Sequence, residues 1–480
     1  MTKKCGLLKN DSEAALLNNR ICVLKVFYII GISSVFACII FIYYQDNLKV
    51  ENAIWESGSY FSSHPKSTHL LPFKTQNDFH APSTDLSSEA CGLPVKDDTV
   101  IKLNNQHTYV IGSYMEHRYI EKEIKTIAIV LRSEEVNYVC VMCCQGENVT
   151  SQAEYVIHRD HFEFDYGTAT ISCPIESSCL NPTHVALTTS DLSSTIDSFQ
   201  PIRNREPPSV FPVNFTICIS TMYDYKDVLN LVESMEMFRI LGAQKVAIYR
   251  TNCNPDVQKI LDYYVKQNFV DIIPWTISDH IEVSSGWRKA ESQGQLHYYG
   301  QIPALNDCVY RYMYQSRYLA LQDMDEVILP FADKTWTSLL PKLEEFYGDS
   351  VGFEFENNIF PFKQRACREY DISKWKHVKG TNILNYIHRL PNVPNEFNNY
   401  KIIVNPRLVV KPTVHGILEG IYDDSLTVRV HPNVARMYHW KPFGFPSDTQ
   451  LILDDHLWDY ANDLVPAVSR VLQECGFFDR

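Results

Sequence analysis

The sequence has no surplus of basic charge: 44 Lys and Arg stand against 57 Asp and Glu, a formal charge of −13. That balance argues against a nucleic-acid partner, because phosphate backbones reward basic patches. It also means that an anionic substrate requires a divalent metal or local Arg and Lys to offset repulsion. Zinc-finger spacing is missing as well. Cys140-Val-Met-Cys143-Cys144 has no second Cys or His pair at ligand spacing to complete a site, so disulfides are the expected use of these cysteines. Beyond residue 213 there is no repeat and no low-complexity tract.

What the chain does have begins with a charge-free run, Val26 to Tyr44. At about 1.5 Å per residue such a helix crosses roughly the hydrocarbon core of a bilayer. Lys3, Lys4, Lys9, Arg20 and Lys25 precede it, which keeps the first 25 residues cytoplasmic. The long polar leader and the bulky exit through Ile42-Tyr43-Tyr44 favour an uncleaved type II anchor over a signal peptide. Eleven of the 14 cysteines lie beyond it, on the oxidising side. Since eleven is odd, at least one stays unpaired or pairs between chains. The working part is then expected on the lumenal or extracellular side of a membrane, with the Golgi the first candidate and the cell surface the other. Sequons at Asn148 and Asn214 would then carry N-glycans.

Residues 45–95 are rich in Ser, His, Pro and Asn without apolar period, and read as a stem. Residues 96–200 hold short β-rich runs, among them Thr108 to Ile111, Ile127 to Leu131, Tyr138 to Met142 and His184 to Leu187, and read as a small all-β accessory domain. A linker at 201–213, with Pro207-Pro208, leads to residues 214–475. There the pattern becomes strands alternating with helices, an α/β fold with a parallel-rich sheet. Phe215 to Ser220, Lys245 to Tyr249 and Val270 to Pro274 are expected strands. Asp224 is the expected N-cap of the first helix, and Asn254 with Pro255 opens the second.

The sharpest chemical signal is Asp323-Met-Asp325-Glu326, closing the apolar strand that starts at Tyr318. On a strand the carboxylates of Asp323 and Asp325 share a face, and ligands of open α/β sheets gather at the carboxyl ends of strands. Two hard oxygen donors there suit Mn²⁺ or Mg²⁺ bridging a diphosphate.

In order along the chain, Thr216-Ile-Cys-Ile, Gly300-Gln301 with Asn306-Asp307-Cys308 and Arg311, the Asp323 to Glu326 block, Tyr400 to Pro406, Val414-His415 and Tyr438-His439 resemble the family 92 glycosyltransferases. The resemblance covers roughly residues 211–440. It implies a GT-A-like fold, a type II membrane topology, and inverting transfer of a hexose, galactose in characterised cases, from a nucleotide sugar such as UDP-galactose to a glycan acceptor. The family usually ends its last block His-Tyr-Arg, from which Tyr438-His439-Trp440 departs.

Within such a site Asp325 is the expected metal ligand, and Asp323 binds the ribose or the metal. His439 and His415 are candidate imidazole ligands. Gln301 and Asn306 are candidates for holding the donor, and Asp307 either binds the donor sugar or serves as a structural hydrogen-bonding group. Glu354 and Glu356 are candidate bases for the attacking hydroxyl, with Asp371 behind them. Lys363, Arg365 and Arg368 either neutralise phosphate or form a solvated basic surface. A competing enzyme class exists: Asp323-x-Asp325 also resembles the nucleophile motif of haloacid-dehalogenase-type phosphatases, with Asp454-Asp455 as the late acidic pair. A non-catalytic, membrane-tethered glycan-binding protein is the third reading.

The lumenal assignment predicts that full-length protein from a secretory host loses the mass of two N-glycans on glycosidase treatment. Asn148→Gln and Asn214→Gln should each remove one; an unshifted band in the parent protein would contradict the topology.

Overall fold

The computed structural model describes residues 89–478 apart from 105, 191–194, 349, 351, 364–365, 367–369, 371, 394–395 and 423–426. The proposed anchor at 26–44, the cytoplasmic tail, almost all of the stem, Arg365, Arg368 and Asp371 lie outside the described residues. Among the described residues no helix is long and apolar enough to cross a membrane.

The β-rich segment forms one nine-stranded sheet. Its long strands Thr108–Glu116, Glu123–Leu131 and Tyr166–Pro174 pair antiparallel. Tyr138–Cys144 pairs with His184–Thr189. All four of the expected β runs fall inside these strands. The vicinal cysteines form disulfides, Cys140 with Cys173, Cys143 with Cys91 and Cys144 with Cys179. Part of the expected linker is itself a strand: Gln200–Arg203 pairs parallel with Thr108–Glu116.

The α/β part is built on strands β1 (Val213–Met222), β2 (Lys245–Arg250), β3 (Val270–Pro274), β4 (Ser316–Gln322), β5 (Glu326–Pro330), β6 (Gly352–Phe355), β7 (Asn357–Pro361), β8 (Lys401–Val404) and β9 (Ala435–Lys441). The main sheet runs β3-β2-β1-β4-β8-β6, with Val428–Arg429 at its far edge. β3, β2, β1 and β4 are parallel, and β8 is antiparallel to both β4 and β6. A smaller sheet runs β5-β9-β7. Five helices pack around them: α1 (Val228–Leu241), α2 (Pro255–Lys266), α3 (Gln301–Tyr312), α4 (Trp336–Tyr347) and α5 (Ala461–Glu474). Apolar periodicity explains α2, whose buried Val257, Ile260, Leu261 and Tyr264 form one stripe. Asn254 caps it as expected, accepting from Val257 N–H.

One cap differs from expectation. Asp227, not Asp224, accepts from Asn230 N–H at 2.8 Å. Asp224 instead sits in the left-handed region at φ 46°, where its side chain cannot reach the N-terminal amides of α1. Two acids three residues apart before one apolar stripe offer either cap, and the tie of Asp227 to Thr381 N–H decides between them.

The sheet separates two cores. One face of β1 and β4 packs on α1, α2, α4 and α5 through residues such as Ile217, Val232, Leu261, Trp336 and Leu472. The other face packs on α3 and on the β-rich sheet, so that Tyr109, Ile111, Tyr114 and Ile129 share a core with Cys218, Tyr249, Leu321 and Val404. The two parts thus bury a common interior and belong to one compact unit. Cys218 on β1 is bonded to Cys308 on α3.

Asp307 lies at the centre of that seam and is wholly buried. It accepts from the hydroxyls of Tyr114 and Tyr249 and from Arg311 Nε at 2.9 Å. Burial, above all, holds both phenols far above their ordinary range, so they remain donors. Of the two uses open to Asp307, the structural one matches this geometry. Asp307→Ala would leave the buried Arg311 guanidinium unpaired, at a cost of about 3 kcal/mol or more, and should appear as that loss in urea unfolding. Unfolding indistinguishable from the parent would contradict the seam.

Candidate functional site

β4 carries the apolar run Tyr318 to Leu321 through the middle of the sheet and stops at Gln322, so Asp323 emerges at its carboxyl edge. Three elements meet it there. Gln301, the first residue of α3, donates from Nε2 to Asp323 Oδ1 at 3.0 Å. Ser220, near the end of β1, donates to the same oxygen at 3.4 Å. Lys401, the first residue of β8, donates from Nζ to Oδ2 at 2.8 Å. Because β8 is antiparallel to β4, its amino end falls at the carboxyl end of β4. The N-terminal dipole end of α3 points at the same place, which favours negative charge.

Met324 and Asp325 make a tight turn into β5. Glu326 opens β5 and is buried, with Oε2 accepting from Asp323 N–H and lying 3.3 Å from Lys401 Nζ. His439, its cross-strand partner on β9, spans the two remaining acids. Nδ1 is 3.4 Å from Glu326 Oε1, and Nε2 is 3.4 Å from Asp325 Oδ2. These are ion-pair distances; Nδ1 has no hydrogen bond of good geometry. Asp325 is half-buried, like Asp323, and its ion-pair partner is His439 and not Lys401. Asp323 and Asp325 lie past the end of β4, the second of them in the turn, so strand alternation does not set their relative direction; burial first, and then both acids, raise the phenol of Tyr298.

The charges sort by burial and partner. Burial raises the Asp323 carboxyl, but Lys401, with His439 and His415, brings it below its ordinary value. Glu326 is raised, by burial first and by the neighbouring acids against the pull of Lys401. Burial works against the charged form of Lys401, yet the two acids hold its ammonium above the ordinary range. His439 is raised by Glu326 and Asp325 in spite of burial. His415 is pushed down to about 4 by burial and then by Lys401. In its neutral form Nδ1–H donates to the Tyr400 carbonyl at 3.1 Å, leaving Nε2 a lone pair.

The turn before α3 is unusual. Tyr298, Tyr299 and Gly300 all have left-handed φ, at 34°, 54° and 74°. Such non-glycine residues cost of order 1 kcal/mol or more each and collect at functional sites. At the third position only glycine fits, because a Cβ would also meet Trp275 at about 3.1 Å. Trp275 Nε1 donates to Tyr299 O at 2.9 Å and holds the turn.

The other sequence candidates are distributed as follows. Asn306 is buried behind the site, donating to Ile302 O at 2.9 Å and Pro412 O at 3.2 Å, and neither it nor Asp307 is among the side chains in contact with Asp323. Glu354 on β6 is held by Thr427 and by Arg429 Nε at 3.2 Å. Glu356 follows β6, one residue past the Phe355–Lys401 pair, which sets it at the edge bearing Asp323. It is half-buried, and among the described residues its carboxylate has no hydrogen bond. Lys363 stands over the Phe445 ring at 4.9 Å. The residues that sequence reasoning left without a role are Lys401, Glu326, Ser220 and Tyr298. Glu326 stood within the acidic block, and Lys401 carries a local signal too, a lone ammonium opening the buried strand Ile402 to Val404.

A parallel-rich sheet with an acidic cluster at the carboxyl edge of its central strand is the arrangement of a glycosyltransferase. Residues 213–465 match the model of Glycosyltransferase family 92, more than half of the chain, and the chain belongs to that family. Among its relatives is the Beta-1,4-galactosyltransferase galt-1 of Caenorhabditis elegans, 20% identical over 381 residues, 77% of this chain and 82% of that one. A family 92 protein of the same organism is 21% identical over 251 residues, 51% of this chain and 50% of its own length. Another is 23% identical over 140 residues, 29% of this chain and 26% of that one.

His297, next to the strained turn, has both ring nitrogens buried without a partner. Burial pushes it down from 6.5 to about 4, with His415 adding to the effect. Between those values the unfolded chain binds a proton that the folded chain refuses, so this stability is intact above about 6.5 and is lost as pH falls toward 4. His297→Gln should therefore flatten the pH dependence of urea stability by up to about 1.4 kcal/mol per pH unit in that window. A parallel curve would mean that His297 titrates normally.

Proposed function

We propose that the chain transfers a hexose, with galactose the first candidate, from a nucleotide sugar such as UDP-galactose to a glycan acceptor with inversion, at a lumenal site tethered to the Golgi membrane through residues 26–44. The observation that carries the reading is the meeting of Asp323, Asp325, Gln301, Lys401 and His439 at one strand end. The galactosyltransferase name of a relative supports the choice of sugar.

Among the described residues no group of three or more His, Cys, Asp or Glu side chains is placed to hold a metal ion. Hard divalent cations in such sites take one or two protein ligands and complete their shell with substrate phosphate and water. Asp325 offers such a ligand and the neutral His415 an imidazole, whereas His439, whose Nε2 faces Asp325, would join them only by giving up its proton. The donor chemistry therefore fits Mn²⁺ or Mg²⁺ held chiefly by Asp325. Asp323, whose oxygens are taken by Lys401, Gln301 and Ser220, is assigned to positioning the donor and not to direct ligation. When bound, the ion supplies Lewis-acid stabilisation of the leaving diphosphate.

This chain's own residues do the rest. Lys401 and the amino end of α3 place positive potential where diphosphate charge develops. Gln301 orients Asp323, and His439 holds Asp325 against Glu326. Inversion needs a carboxylate opposite the leaving group to take the acceptor proton. Glu356, at the right edge and without a hydrogen bond to its carboxylate among the described residues, is the better candidate, since Glu354 is committed to Arg429. The phosphatase reading loses support, because both Asp323 oxygens are engaged and Asp454 is tied to Tyr438, Arg436, Arg389 and His456.

The test is full-length protein screened against nucleotide sugars with and without Mn²⁺. Asp323→Ala and Asp325→Ala should each lower donor turnover by about a hundredfold or more, and Glu356→Gln should abolish transfer while leaving donor binding. Unchanged turnover in both Asp variants would overturn the assignment. Glycan binding with no turnover in the parent would favour the tethered binding protein.

A further inference from the structure

A row of rings leads away from the acids. Tyr223, just past β1, stacks on Tyr299 at 4.3 Å and 25°. Tyr299 neighbours Tyr298 at 5.5 Å, and Tyr298 neighbours His297 at 6.0 Å. His297 stacks on Phe162 at 4.5 Å and 18°, and Phe162 meets Trp287 edge-on at 6.4 Å. Four of its six rings are exposed, Tyr223 40%, Tyr298 37%, Phe162 40% and Trp287 53%, while Tyr299 is half-buried and His297, the link between Tyr298 and Phe162, is buried. Contiguous exposed aromatics mark interaction surfaces, whereas single ones do not.

A second observation concerns the backbone. Phe162, Tyr298 and Tyr299 all have left-handed φ, at 48°, 34° and 54°. Bulky residues rarely adopt it, and the strain persists only where surrounding structure enforces it. Two separate segments, one from the β-rich sheet and one before α3, thus accept strain where they hold rings in a line. The turn that holds Tyr298 and Tyr299 runs straight into Gln301, which donates to Asp323 at 3.0 Å, and the row ends on a surface to which both parts of the unit contribute.

We infer that the arm from Tyr298 to Trp287 is an acceptor subsite that binds several consecutive sugar residues of a glycan chain, each laying the C–H face of its ring on an aromatic face. This rests on the transferase reading above and specifies its substrate: an extended oligosaccharide, with the terminal sugar at Tyr298 and the earlier sugars over Phe162 and Trp287. Phe162 has one face on His297 and Trp287 one face under Arg288, so a sugar would take the opposite face of each ring.

Full-length protein in detergent micelles, without donor, is applied to an array of N-glycan, O-glycan and glycolipid oligosaccharides of graded length. The parent should retain a longer glycan better than its truncated forms. Trp287→Ala and Phe162→Ala should weaken that retention, and raise the acceptor KM, by about tenfold each, with donor KM unmoved; Trp287→Phe should restore most of the binding. Equal retention by the alanine variants, or no preference for length in the parent, would overturn the subsite. Asp325→Ala separates the two inferences. If it keeps glycan retention but loses donor turnover while the alanine variants bind as the parent does, only the subsite fails. If it turns over donor normally, the transferase reading fails, and array retention still decides the ring row.

Discussion

The ammonium of Lys401, buried between Asp323 and Glu326, is the interaction on which the site depends. A lone charge at that depth would be costly; paired with two acids it stays ionised. In turn it keeps Asp323 charged and fixed, whereas Asp325, exposed to the same degree, has no ammonium beside it. Two carboxylates that look equivalent in the sequence are thereby given different work. The division comes from β8 running against β4, which delivers a cation to one acid and not to the other.

Much of the frame was legible. Apolar runs marked β1, β2 and β3, Asn254-Pro255 marked the start of α2, and the acids closing β4 marked the functional edge. These features are local: each depends on residues within a turn or a strand of one another. Features that depend on distant partners were not legible. Asp323 and Lys401 are 78 residues apart, and Asp307 and Tyr114 are 193 apart. No periodicity announces such pairs. Asp307 looked like a site residue because it sits in a polar block ahead of the acids, and only the docking of the β-rich sheet shows what its oxygens serve.

That docking changes how the two halves relate. A Pro-rich connection read as a separator, yet Gln200–Arg203 belongs to the first sheet and the common core continues into the second. Tyr114, Tyr249 and Arg311 converge on one carboxylate across the seam, and Phe162 reaches over it to His297. The β-rich half therefore shapes the surface beside the acids. Family membership fixes the general activity, and the side chains at this seam are where specificity would be built.

The bond between Cys218 and Cys308 spans 90 residues and closes a covalent ring around β2, α2, β3 and the strained turn. Inside that ring lies the exposed stretch from Trp287 to Ala290, with Arg288 and Lys289 open to trypsin-like proteases. A nick there would sever the backbone without freeing either end, since both fragments remain joined through sulfur. A chain clipped there would still run as one species, separating into two only after reduction.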